Sequence, residues 1–555
     1  MVEKRGSKSK NFPKKKIVFF VVLAIIAVIG FSLVYSSSIS TVPPSEGNDD
    51  ISKLVSGSRA DAVEKFNAQF CGLNSYPNSS YLVIEYSLPA LCEMPLAVGV
   101  DSEGKNIWYV STKNGTLGSY DINTNTFGEE YEIPSWPARA NPTISSQIWD
   151  LDIDNKGDIW FTDEQQNSLW RFSNDTNSFE MFPVPEKPEA FGTTYPVSME
   201  INNNGSSVYF VGIRSPSIWI GNTSQMRNGT AEGIERIEIP LDSFKGIDPD
   251  LVSTGSIVLD EDNNRLFVSL LAFNTKGEIL AYDLKNNTFT SYEMPDDITS
   301  PVGLTLDLND DLWVTDHGTS IFYRLDPASG DITKFTTSIA SPRTLGQATT
   351  IDAAYTLPYW VKTGANGTIW FNQHTGNKMS SFDPNNLTLT EYWIPSQNKL
   401  WGPCQNSVNP CGISNALQFD VNKNNEVWFS EWSENKIGRV LTERVLPISV
   451  SVLPNNITLQ RGENEEIKIN VTSNMNTSLT ADMLAAGTFT TTGNLGNLSG
   501  LFSEDSISLD PGQTKQISLI ITPTQELELG NYTLMVGAET SDASVLRTVP
   551  IRIQG

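Results

Sequence analysis

The chain has 555 residues, with 38 Lys and Arg against 64 Asp and Glu, for a net charge of −26. That length exceeds what one ordinary core organises, so two or more folding units are expected. The acidic balance excludes nucleic acid as a partner, because phosphates need a basic surface.

Residues 1–16 form a basic tail with seven Lys/Arg and one Glu, and residues 17–35, IVFFVVLAIIAVIGFSLVY, run nineteen positions without a charge. That stretch is long enough to cross a bilayer as a helix, with its basic flank on the cytoplasmic side. A cleaved signal peptide is the competing reading. The segment is longer than a usual signal-peptide core and lacks an A-x-A site, which favours an uncleaved anchor. The expectation is therefore a single-pass plasma-membrane protein whose bulk is extracellular or pseudo-periplasmic and carries about −32. Residues 36–70 read as a linker, SSSISTVPPSEGNDD followed by one short amphipathic helix.

Four cysteines suit an oxidising compartment, and local pairing joins Cys71 to Cys92 and Cys404 to Cys411. Asn-x-Ser/Thr triplets stand at Asn78, Asn114, Asn174, Asn204, Asn222, Asn228, Asn286, Asn366, Asn386, Asn456, Asn470, Asn476, Asn497 and Asn531. That density on an anchored chain predicts a glycosylated surface protein.

Between residues 71 and 444 one phrase returns: an alternating apolar strand, an Asp/Asn/Gly turn, then an aromatic-led strand. LDIDNKGDIWFTDE, LTLDLNDDLWVTDH and FDVNKNNEVWFSEW are examples. The aromatic anchors are Trp108, Trp160, Tyr209, Phe267, Trp313, Trp370 and Trp428, spaced 46 to 58 apart. A third strand follows, and a fourth ends in an x-φ-Pro signature such as YEIP, SYEMP or EYWIP. Four strands repeated seven times predict an all-β, seven-bladed propeller. The anchors read as packing between blades, and the prolines as a mark of free outer edges. The seventh repeat lacks a fourth strand. YLVIEYSLP (81–89), written before the first repeat, is expected to supply it beside Lys436–Leu441, so that no edge of the ring stays open. From residue 445 to 555 short strands separated by Gly, Pro and Asn predict an immunoglobulin-like β-sandwich.

IWFTDEQQNSLWRF, and still more EVWFSEWSENKIGRV, resemble the virginiamycin B lyase (streptogramin lyase) family over roughly Ala90 to Val440. There the phrase is P-H-G-I…D…G-x-(V/I)-W-F-T-E…N-x-I-G-R-I. The resemblance implies a propeller, an elimination that opens a cyclic depsipeptide ester, a blade-start His as base, and Mg²⁺ held by carboxylates. Asp163, Asp316 and Glu431 match the carboxylate position and are the expected metal ligands, for Mg²⁺ or Ca²⁺. Fourteen residues earlier, where the family's His belongs, stand Trp149, Val302 and Leu417; in the sixth repeat Gln373 and Tyr359 take the two places. Every blade-start His of the family is missing.

The only two histidines, His317 and His374, each follow the carboxylate position by one residue, in adjacent repeats. Two readings stand: exposed loop imidazoles at a repeat-related spot, or a catalytic base or metal ligands beside the carboxylates. Long connections between repeats carry Trp136, Phe191, Tyr355, Tyr359, Trp360 and Trp401, which would favour a sugar, peptide or amphipathic ligand if exposed. The sequence therefore supports a membrane-anchored protein that binds a small molecule, glycan or protein at the cell surface. A metal-dependent lyase or lactonase-type hydrolase at the propeller mouth is one alternative, and a structural envelope glycoprotein another.

Overall fold

The computed structural model describes residues 79–555 except 102, 138–146, 186–193, 214, 242–251, 273–275, 341–354 and 399–411. The expected basic tail, anchor and linker, with Cys71, Asn78, Phe191, Trp401, Cys404 and Cys411, lie outside these residues. All described residues belong to one unit, Asp49–Gly555.

The repeated phrase folds as it does because its turn aspartate caps two things at once. Asp154 accepts backbone N–H bonds from Lys156 and Asp158 through Oδ1, and the Trp160 indole N–H at 3.1 Å through Oδ2. Asp307 does the same for Asn309, Asp311 and Trp313. The hairpin turn and the anchor are thus fixed by one carboxylate. Seven antiparallel blades result, and the second to the fifth are plain four-stranded meanders of this phrase. The second blade, for instance, runs Leu151–Ile153, Ile159–Asp163, Ser168–Ser173 and Ser178–Pro183 from axis to rim. Its second strand is buried throughout, whereas its outer strand is largely half-exposed. The anchors fill the gaps between blades: Trp160 packs with Phe182, Met199, Phe210 and Trp219, and Trp428 packs with Val98, Tyr109 and Tyr120.

A second repeated device stitches neighbouring blades. Asn167, Asn377 and Asn435 hold left-handed backbone in the turn after the second strand. Each side-chain carbonyl accepts N–H bonds at the start of the next blade: Asn167 from Thr194 and Tyr195, Asn377 from Ser414, Asn435 from Glu93. Each amide donates to a carbonyl just beyond an outer strand, at Val184, Ile394 and Ala90.

The ring closes through Val83–Ser87, which pairs antiparallel with Lys436–Val440, from Val83 opposite Val440 to Ser87 opposite Lys436. Across this seam the buried Lys436 Nζ lies 3.0 Å from Glu85 Oε2, and Ser396 donates to the same carboxylate through its N–H and hydroxyl. Blade six repeats the arrangement with Lys378, Glu391 and Ser338.

From Ile448 the strands form two packed sheets. One orders Ile448–Leu453, Glu465–Ser473, Thr514–Pro523 and Leu498–Phe502. The other contains Ala543–Gln554, Gly530–Glu539, Leu479–Gly487 and Ser506–Leu509, with Ile457–Gln460 parallel to Ala543–Gln554. Alternating residues of both sheets, among them Ile467, Ile469, Leu519, Leu534, Val536 and Ile551, make one core.

The expectation of a free outer edge fails in blade six. Its outer strand Thr388–Trp393 pairs antiparallel with Ala543–Gln554, Thr388 opposite Arg547 and Tyr392 opposite Ala543, so blade and sandwich share one sheet of nine strands. Leu546 and Met535 complete the apolar cluster around Trp313, Phe371 and Phe382. Apolar burial and main-chain pairing both favour this covered edge over an open one.

Candidate functional site at the channel mouth

The inner strands line the axis, and the residues just after each second strand stand at one mouth of the channel. His317 follows Leu312–Asp316 and His374 follows Ile369–Gln373; their N–H groups donate to the Ser300 and Leu357 carbonyls. The imidazoles stack with centroids 5.5 Å apart and planes 16° off parallel. Tyr359 packs 4.6 Å from His317 on one side and 6.4 Å from Trp149 on the other. Trp149 donates to Glu164 at 2.7 Å, and His374 Nε2 meets Asn415 Oδ1 at 2.9 Å. The chain Glu164–Trp149–Tyr359–His317–His374–Asn415 thus spans the mouth from blade two to blade seven.

The two imidazoles are not exposed: His317 is 4% and His374 6% accessible. Burial, followed by the neighbouring imidazole, pushes His317 down to about 3; burial pushes His374 down to about 4, against the pull of Asn415. Both rings are neutral at neutral pH. The Leu357 and Pro358 main chain lies beside the His317 ring and favours its protonated form, too weakly to offset burial; Nδ1 of His374 has no hydrogen-bond partner among the described residues.

The carboxylates matched by the lyase motif serve their own turns. Asp163 accepts from the Gln166 backbone and side chain and from the Trp170 indole. Asp316 accepts from the N–H groups of Thr299, Ser300 and Gly318 and from the Thr319 hydroxyl; burial still pushes it up to about 6. Glu431 is buried against Glu85, Lys436 and Glu434, and burial first, Glu85 second, hold it well above the ordinary carboxylate range. Among the described residues no group of three or more His, Cys, Asp or Glu is arranged to hold a metal ion. Asp163 and Asp316, saturated by donors, and Glu431, buried beside Glu85 and Glu434, do not form the converging oxygen set that the implied divalent cation needs.

The expected ligand-binding aromatics divide. Trp136 is 2% accessible, lies in the core beside Trp108 and Ile148, and donates to the Thr112 carbonyl. Trp360 belongs to the core with Trp370 and Phe419. Tyr355 approaches Thr491 of the sandwich. Among the described members of this set, Tyr359 alone packs against the mouth histidines. Trp136 and Trp360 thus serve packing, so an aromatic at the end of a long connection is no sign of exposure.

Below the mouth lies a polar cavity of about 150 Å³ lined by Asp150, Asp152, Glu200, Lys362 and hydroxyls of Ser198 and Thr305. Burial pushes Asp150 up to about 7 and Glu200 up to about 8. Burial opposes charge on Lys362, but Asp420, 3.0 Å away, with Asp152 and Asp150, outweighs it and holds the ammonium above its ordinary value. Sequence reasoning missed this set, yet a signal was there. Asp152, Glu200, Lys362 and Asp420 each stand two residues before the turn residue of an inner strand, at Asp154, Asn202, Gly364 and Asn422. One register position therefore faces the lumen around the ring.

No family model matches the chain, and no curated protein is similar to it. Among solved structures, virginiamycin B lyase from Staphylococcus aureus is 19% identical, covers 64% of this chain and 98% of its own, and superposes with a TM-score of 0.48. In fold, the chain is similar to the streptogramin lyases. A catalytically inactive variant of that lyase, solved with quinupristin, is 20% identical over 64% of this chain and 98% of its own, with a TM-score of 0.47. Hydrazine synthase from Kuenenia stuttgartiensis is 9% identical over 66% of this chain and 99% of its own, at 0.45.

Proposed function

We propose that this chain is a membrane-anchored, extracellular protein that binds an uncharged, ring-bearing ligand, a glycan or a peptide, at the channel mouth. The anchor is the 17–35 segment and the C-terminal module an immunoglobulin-like spacer. The observation that carries the binding role is the row of rings at the mouth, in which the buried, neutral His317 packs between Tyr359 and His374. Neutral stacked rings offer π faces and edges against which a ligand's own ring packs. A general base needs a basicity near the working pH, and a ring held down to about 3 is a poor one. These features favour recognition over elimination.

The test is a screen of glycans and peptides against the detergent-solubilised full chain, read by tryptophan fluorescence. His317→Ala is expected to weaken any hit at least tenfold while leaving the melting curve cooperative. Chelator-sensitive opening of a cyclic depsipeptide or lactone would replace this reading with the metal-dependent lyase or hydrolase. Absence of any hit would leave the structural envelope glycoprotein.

A further inference from the structure

The up-and-down strand order gives the ring two chemically different faces. In each blade the turns after the first and third strands lie on one face. The turn after the second strand, and the connection to the next blade, lie on the other, with Trp149, His317, Tyr359 and His374.

The Asn-x-Ser/Thr triplets do not divide evenly. Asn204 lies between Pro196–Ile201 and Ser207–Gly212, and Asn366 between Pro358–Thr363 and Ile369–Gln373, both after a first strand. Asn174, Asn286 and Asn386 follow third strands, Asn222 ends one, and Asn228 lies in the same long turn before Ile234–Glu238. All seven belong to the face away from the mouth, and all seven are exposed. The mouth face has Asn114 alone among the described triplets, and it is half-buried where the other seven are exposed. The segments joining one blade to the next contain no such triplet, since Asn141 is followed by Pro142.

Turn chemistry by itself does not produce this bias. Asn is as regular on the mouth face, at Asn167, Asn377 and Asn435, where it takes left-handed backbone. Those side chains are buried in stitching the blades, and Leu169, Met379 and Ile437 stand where a triplet needs Ser or Thr. An exposed Asn followed by the hydroxyl residue is what the two faces do not share.

We infer that the propeller carries its N-linked glycans on the face away from the mouth, leaving the mouth face bare for the ligand. This rests on the exterior placement proposed above. A glycan is bulky and strongly solvated, so a coat on one side sets the side from which a partner can approach.

Glycopeptide mass spectrometry of the full chain isolated from its own membrane tests this, with the exposed sandwich residues Asn456 and Asn476 as an internal control. The expected result is modified Asn174, Asn286 and Asn386, modified control sites, and unmodified Asn114. Thr176→Ala, which removes the Asn174 triplet, should shift gel mobility by one glycan, and Asn114→Gln should not. Modified control sites with modified Asn114, or with an empty far face, would overturn the one-sided coat and leave the exterior placement standing. Empty control sites would overturn both.

Discussion

At the scale of single residues, the chain uses its ionisable groups more for assembly than for chemistry. Asp154, Asp163, Asp307 and Asp316 each cap a turn, and each also receives an indole N–H or a hydroxyl. The two histidines are the exception, since their values of about 3 and about 4 lie below the ordinary 6.5. Between about pH 6.5 and those values the unfolded chain binds protons that the folded chain refuses. Their contribution to stability is therefore complete above 6.5 and lost as pH falls through the window, by up to roughly 1.4 kcal/mol per pH unit for each ring. Asp150 and Glu200, raised to about 7 and about 8, act with the opposite sign: they favour the folded state at low pH, and that advantage is lost as pH rises through those values. In thermal melts, the His317→Gln/His374→Gln variant should lose less of its Tm between pH 6.5 and 4 than the unsubstituted chain. Equal losses would show that the rings are accessible to protons in the folded state.

At the scale of elements, the seam between Val83–Ser87 and Lys436–Val440 depends on a buried pair. Lys436 and Glu85 are both fully buried and share Ser396. Replacing Lys436 by Met leaves a buried carboxylate without its counter-charge, at a cost of about 3–5 kcal/mol. Adding Glu85→Gln should recover part of that loss, so the urea midpoint of the double variant should lie above that of Lys436→Met alone. Much of this seam was legible in the sequence. EYSLP repeats EYWIP, and a closed ring leaves only one vacant place for a fourth strand. The lyase-type carboxylates were legible as a pattern but misleading as chemistry. A turn-capping Asp and a metal-binding Asp occupy the same place in W-F-T-D, and only the donors around it distinguish them. Trp136 misled for a similar reason, because a large aromatic in a long connection serves packing as readily as binding.

At the scale of the whole molecule, propeller and sandwich are joined by a continuous sheet and by polar ties. Ser320 donates to the Thr491 carbonyl, Thr533 to the Lys334 carbonyl, and Arg547 to the Thr388 hydroxyl at 2.5 Å. A chain ending at residue 444 would uncover the edge of Thr388–Trp393 and the apolar cluster that Met535 and Leu546 complete. Such a chain should aggregate, or melt several degrees below the full chain, and the full chain should unfold in one transition by calorimetry. Two separate transitions, with the truncated ring unchanged, would mean that the sheet junction contributes little. This junction was not legible. Thr388–Trp393 reads TLTEYW, with the same alternation as Thr288–Glu293, TFTSYE, whose outer side has no strand beside it. What differs is the partner, not the strand.

The shared sheet also orders the protein's assembly in time. Thr388 and its partner Arg547 are 159 residues apart. A chain emerging N-terminus first presents the unpaired main-chain groups of blade six until residues 543–547 have left the ribosome. Throughout that interval the strand is open to any other extended peptide, including a second nascent copy. Rapid delivery of Ala543–Gln554, or a holdase that occupies the strand meanwhile, then becomes a condition of yield as much as stability is.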